Sequence, residues 1–361
     1  MARKVTTLSR YEQIGSYPWR VNSITRLRKN TELDPARFLV GLLINVRATV
    51  TLGTANAAAV LADNVACIIE SIRAFGKNQV RNTTDTFIQI RGCDMKELMN
   101  QFAGITVFDN SSTLAVGTGA YNLDFNIIID FPPPNVRVEE QIGYLLDVPN
   151  WSNLEIDLQF GDANSLWNPS TTTFAWTNQV VNVLGRYAME PGKFAGFGFG
   201  LRYLLGTEIA GSLLTTTATK QNLFQLDAKP KVRGLLLKTG VKATTTTAPN
   251  NAYATLSDSI LANVNLIKAP NLMFRQYFRT TDLKAINAYG QKRNPVTGYA
   301  WLDFVLNGLS FEALNPTVLA NGAANDMNLW IQADVAGAAN QALMVVQDSL
   351  YYSQNIVIPT S

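Results

Sequence analysis

From Phe38 onward the chain alternates apolar and polar positions with a period of two. Phe38, Leu39, Val40, Leu42, Leu43 and Ile44 lead into Val46, Ala48, Val50 and Leu52, with Asn45, Arg47, Thr49 and Thr51 between them. That alternation predicts a strand with one face in a core. Similar patterns predict strands over residues 68–75, 86–91, 123–131 and 180–187, and residues 154–160 carry the cleanest alternation of all. One segment departs from it. Met95, Leu98, Met99 and Phe102 recur at helical spacing behind Asp94, which predicts a short amphipathic helix over 94–102 with Asp94 as its N-cap.

The second half repeats this grammar. Strands are expected over 201–205, 223–226, 232–237, 260–267, 273–278, 301–306, 329–335 and 343–350, with a second helix over 282–289 opened by Asp282 and closed by Gly290. Polar stretches at 215–217, 244–251 and 315–325 are expected as long loops. Four landmarks also recur in the same order. Arg81-Asn82-Thr83-Thr84-Asp85, Tyr121-Asn122-Leu123-Asp124-Phe125, Asn153-Leu154-Glu155-Ile156 and Val180-Val181 leading to Tyr187 return as Arg279-Thr280-Thr281-Asp282, Tyr299 to Phe304, Asn328-Leu329-Trp330-Ile331 and Val345-Val346 leading to Tyr351. A repeat on this scale predicts two copies of one domain. The expected fold is all-β: two tandem eight-stranded jelly rolls, at 36–190 and 191–361, each with a short α-helix, behind an extended or helical arm at 1–35.

Composition supports two cores, because 361 residues at 47% hydrophobic and 16% charged are enough for both. Neither a run of about 18 apolar residues nor a secretory leader is expected to insert the chain in a membrane. Charge is unevenly spread. Residues 1–30 carry Arg3, Lys4, Arg10, Arg20, Arg26, Arg28 and Lys29 against Glu12 alone, a charge of +6, which leaves the rest at −3 within a total of +3. With Tyr11, Tyr17 and Trp19 interleaved, this segment predicts an arm docked on a polyanion or an anionic lipid surface. Lys229, Lys231, Arg233, Lys238, Lys292 and Arg293 are scattered enough for solubility to account for them.

The chain contains no histidine, which removes the commonest general base and the commonest transition-metal ligand. Gly196-Phe197-Gly198-Phe199-Gly200 lacks the spacing of a phosphate cradle. Glu155 with Asp157, and Glu139 with Glu140, are acid pairs of the kind a glycoside hydrolase uses, but acids alternating on a strand are more often solvated or ion-paired. Asp157 with Asp162 falls short of a calcium loop. Cys67 and Cys93 form no CxxC motif and are expected as buried thiols. No catalytic residue, metal or cofactor is expected, and the chain is read as a protein that is not an enzyme.

Residues 68–91 with the helix at 94–102, residues 264–279 with the helix at 282–289, and the strand series after each give a likeness that runs from about Phe38 to near the end of the chain. It resembles the double jelly-roll major capsid proteins of tailless, membrane-containing icosahedral bacterial viruses, the lineage that includes adenovirus hexon. The resemblance implies a structural coat protein that forms homotrimers, in which six similar lobes make a pseudo-hexamer that tiles an icosahedral virion. It implies outward tower loops at 207–222 and 244–251. It also implies an arm bearing Arg3, Lys4, Arg10, Tyr17, Trp19, Arg20, Arg26, Arg28 and Lys29 that faces the internal lipid membrane or the genome. Expected partners are further copies of the chain and other capsid proteins such as a vertex protein, with no sequence-specific nucleic acid, and assembly in the host cytoplasm. The alternative is a two-domain β-sandwich that binds or hydrolyses carbohydrate, with Trp151, Trp167, Trp176, Trp301 and Trp330 as sugar platforms.

Overall fold

The computed structural model describes residues 9–53, 59–79, 82–102, 107–133, 142–168, 173–188, 200–226, 231–243, 252–268, 272–276, 296–304 and 329–351. The first half contains β1 (Ser9–Pro18), β2 (Ile24–Arg28), β3 (Phe38–Leu52), β4 (Ala59–Val60), β5 (Ile69–Asn78), β6 (Thr83–Ile90), α1 (Gly92–Phe102), β7 (Gly119–Asp130), β8 (Leu146–Asp147), β9 (Glu155–Phe160), β10 (Trp167–Asn168) and β11 (Phe174–Ala188). The second half contains β12 (Leu201–Glu208), β13 (Ala218–Gln225), β14 (Lys231–Lys242), β15 (Tyr253–Leu256), β16 (Leu261–Lys268), β17 (Leu272–Gln276), β18 (Tyr299–Asp303), β19 (Leu329–Val335) and β20 (Gln341–Tyr351).

These strands build two sandwiches with the same plan. In the first, β1-β11-β3-β7 packs over β2-β9-β5-β6; in the second, β12-β20-β14-β18 packs over β13-β19-β16-β17. Reading the two orders side by side matches β1 with β12, β3 with β14, β7 with β18, β9 with β19 and β11 with β20. Three of the four sequence landmarks therefore occupy equivalent strands. Of the first landmark, Thr83 to Asp85 open β6, and its repeat at 279–282 lies outside the described residues. The helix expected at 282–289 also lies outside them.

The sandwiches share a sheet. β6 and β12 run parallel, with Leu204 opposite Ile88 and Leu205 opposite Gln89, and this fuses β2-β9-β5-β6 to β12-β20-β14 in one nine-stranded sheet. Strands of the second half thereby become buried on both faces. Leu235, Leu237, Val345, Ala300 and Leu302 point into the second core, while Leu236, Val346, Tyr299 and Trp301 point back into the first. Continuous apolar runs such as residues 235–237 follow from that double burial, since each face needs its own apolar set.

The expected arm is strand rather than appendage. β1 pairs antiparallel with β11 as the counterpart of β12, and β2 pairs with β9 at the sheet's edge. Trp19 between them is 1% exposed, stacks on Phe160 at 4.5 Å between centroids, and donates its indole N–H to the Arg47 carbonyl at 3.2 Å. Leu27 and Leu33 are also buried. A boundary at residue 35 thus cuts through the first sandwich. The boundary expected at 190/191 falls within 189–199, outside the described residues. The loop expected over 207–222 is shorter, because β12 runs to Glu208 and β13 begins at Ala218; residues 244–251 are outside the description.

Candidate functional site

Between the sandwiches the structure gathers ionisable side chains from segments far apart in sequence. α1 begins at Gly92, two residues earlier than expected, with the Arg91 carbonyl accepting from the Met95 N–H at 2.9 Å. Asp94 is therefore not a cap but lies in the first turn, where it faces β14. Its Oδ1 accepts from Lys238 Nζ at 3.2 Å and from the Tyr299 hydroxyl at 3.2 Å. Asp63 pairs with Lys238 and, at 3.5 Å, with Arg91 Nη2. Lys238 also lies 4.4 Å from the Tyr253 ring centroid and 5.4 Å from that of Tyr299.

All of these groups are buried. Two cations and two carboxylates balance, so the cluster avoids the cost of an isolated interior charge. Burial works against the charged form of Asp63, but Lys238 and Arg91 outweigh it and hold its carboxyl below the ordinary value. Burial likewise opposes the Lys238 ammonium, and Asp94 leads the neighbours that hold its pKa well above normal. The fully buried Tyr299 hydroxyl is pushed up by burial first and then by Asp94.

Cys67 and Cys93 border the same cluster. Cys67 sits in a 3-10 turn, Val65–Ile68, capped by the Asn64 side chain, and Cys93 is the second residue of α1. One oxygen of Asp63 and the two sulfurs lie within 4.8 Å of one another, a set that could in principle hold a thiophilic cation. The donors are already occupied: Lys238 and Arg91 take Asp63, Arg91 Nη2 donates to Cys67 Sγ at 3.0 Å, and Lys238 Nζ to Cys93 Sγ at 3.8 Å. Two cations stand where a metal would have to enter.

A second buried cluster braces the other end of the junction. Arg202 grips Asp348 through Nε and Nη2, both at 2.9 Å, and gives Nη1 to the Asp130 carbonyl at 2.7 Å. Arg233 Nη1 joins Asp348 at 3.0 Å. Burial, with Arg202 adding to it, pushes Arg233 down to about 9, while Asp348 works the other way. Arg233 and Lys238 are thus interior residues, each 1% exposed, and not the solubilising surface charges expected from the sequence. The missed signal is their position: they flank the apolar run at 235–237 of β14, where a strand covered on both faces leaves a cation no route to water.

The residues expected on the arm divide. Arg3 and Lys4 lie outside the described residues. Arg10 and Arg20 are exposed, and Tyr17 is half-buried. Arg26 pairs with Asp157 at 3.4 Å and Arg28 with Glu155 at 3.5 Å, both across β2 and β9. Lys29 Nζ donates to the carbonyls of Pro149, at 2.8 Å, and Trp151. Trp19, Arg26, Arg28 and Lys29 therefore serve the fold. The Glu155 and Asp157 pair is spent on these ion pairs, so it is not the acid pair of a hydrolase. Trp151, Trp167 and Trp301 are buried, which removes three of the five sugar platforms.

No protein-family model and no curated protein matches the sequence. Solved structures do match. The major capsid protein of Sulfolobus turreted icosahedral virus superposes with a TM-score of 0.70 at 11% identity, over 98% of this chain and 100% of that one. The chain has the double jelly-roll fold. The PBCV-1 capsid superposes on this double jelly roll with a TM-score of 0.58 at 10% identity, over 99% of this chain and 97% of that one. The major capsid protein P2 of bacteriophage PM2 does so with 0.54 at 10% identity, over 96% and 99%. The likeness spans both rolls and their junction. At such identities it resides in strand order and packing, which many sequences satisfy.

Proposed function

We propose that this double jelly roll is a major capsid protein, a structural subunit of an icosahedral virion. The observation that carries the reading is the identical strand order of the two rolls. Three copies of a chain with two equivalent lobes make a ring of six similar lobes, so threefold symmetry supplies the sixfold outline a hexagonal lattice needs. The superposition on virus capsid proteins supports the same role. The partners are then two further copies in the trimer, neighbouring trimers and other capsid proteins such as a vertex protein, with assembly in the host cytoplasm. Sedimentation of the purified chain, whose monomer is 39.6 kDa, tests this. A trimer is expected; a strict monomer at assembly concentrations would overturn the reading.

The inward face belongs to the same proposal. Because Trp19, Arg26, Arg28 and Lys29 are engaged within the first roll, contact with an internal membrane or genome falls to Arg3, Lys4, Arg10 and Arg20, with Tyr17 beside them. Removing residues 1–8 and replacing Arg10 and Arg20 with Gln should leave the trimer intact and abolish binding to vesicles containing anionic lipid. Unchanged vesicle binding would refute the assignment.

A further inference from the structure

We propose that Cys67 and Cys93 form a buried redox-modification site, which hydrogen peroxide or a similar small peroxide converts to an intramolecular disulfide. The two sulfurs lie within 4.8 Å of each other inside the first roll, and neither is exposed. Each sulfur also accepts from a cation, Cys67 from Arg91 and Cys93 from Lys238. At Cys67 burial and the Asp63 carboxylate oppose the thiolate, and Arg91 favours it. Burial pushes the Cys67 thiol up, so the reaction is slow in the resting fold.

The chemistry balances in two steps. One thiol attacks the peroxide and becomes a sulfenic acid, releasing one water as the O–O bond breaks. The second thiol then attacks that sulfur, forming the S–S bond and releasing a second water. The protein loses two protons and two electrons, and the peroxide gains them. The sulfurs, within 4.8 Å of each other, must close to about 2.0 Å, which side-chain rotation and a small shift of the 65–68 turn against α1 would supply. A third group is well placed to prevent a metal from competing, since Lys238 occupies the Asp63 carboxylate.

The ring so closed runs from the 65–68 turn to α1 and contains β5 and β6, the pair through which the first roll meets β12. Cross-linking at that point constrains the unfolded chain and ties down the strands that join the rolls.

The test uses the full-length protein, incubated with hydrogen peroxide, then unfolded and alkylated. An intact mass lighter by two hydrogens, with no alkylation and a cross-linked peptide containing Cys67 and Cys93, is expected, together with a melting temperature several degrees higher than before. The Cys67→Ser/Cys93→Ser variant should show no such rise. Two alkylated cysteines after prolonged exposure, a lone cysteine carried on to sulfinic acid, or a bond between chains would each overturn the proposal. This is a property of one subunit, so its failure is distinct from failure to form a trimer.

Discussion

The ammonium of Lys238, in the second roll, lies 3.2 Å from the Asp94 carboxylate, in the helix of the first. Lys238 also pairs with Asp63, so one cation answers two buried acids across the junction. Replacing Lys238 with Met should therefore cost about 3–5 kcal/mol, because two carboxylates lose their common partner in a dry site. Urea unfolding measures it. The triple variant Lys238→Met/Asp63→Asn/Asp94→Asn should recover much of the loss, and a Lys238→Met protein as stable as the parent would contradict the cluster's role.

Acid should find the same cluster. Asp63 has a folded pKa below its unfolded value, so in the acid range the unfolded chain binds the extra proton. Its contribution is complete above about pH 4 and is lost as pH falls through the lowered folded value. Asp130, Asp147 and Asp157 are raised by burial and act with the opposite sign, gaining stability as they protonate. Comparing the parent with Asp63→Asn separates the two. The parent's unfolding midpoint should fall more steeply with acid than the variant's, and parallel acid limbs would refute the assignment.

Trp19 predicts the result of shortening the chain. Deleting residues 1–8 should leave the melting temperature unchanged within about 2 °C. Deleting residues 1–30 should abolish folding, because it removes β1, β2 and the indole stacked on Phe160. Trp19→Ala alone should cost about 3–5 kcal/mol. Each is read by circular dichroism during heating.

Gly234 marks where β14 meets Trp301. A methyl group there would come within 2.0 Å of the indole and 2.6 Å of the Leu302 carbonyl. Gly234→Ala should destabilise the chain by about 1–3 kcal/mol through overpacking. At Gly206 the nearest atom, the Gln89 carbonyl, is 3.3 Å away, and alanine there should be the milder change in the same unfolding assay.

Much of the fold was legible because period-two alternation survives wherever one face of a strand is covered. Residues 154–160 predicted β9 closely, and Tyr299 to Phe304 predicted β18 as the counterpart of β7 in the second roll. β1 was hidden for a physical reason. It is an edge strand, mostly exposed, with a bulge between Gln13 and Gly15 that breaks its alternation, so together with the cations before and after it the segment read as an arm. The ionic clusters left less trace, since Asp63, Asp94 and Lys238 are brought together only by tertiary packing. The parallel contact of Leu204 with Ile88 has no local signature at all.

That contact bears on how the chain responds to force. Among the described residues the β6–β12 pairing carries one sheet from the first roll into the second, which couples the two rolls through backbone hydrogen bonds. If the proposed assembly forms, deformation is expected at the seams between copies before it reaches the paired seam within one.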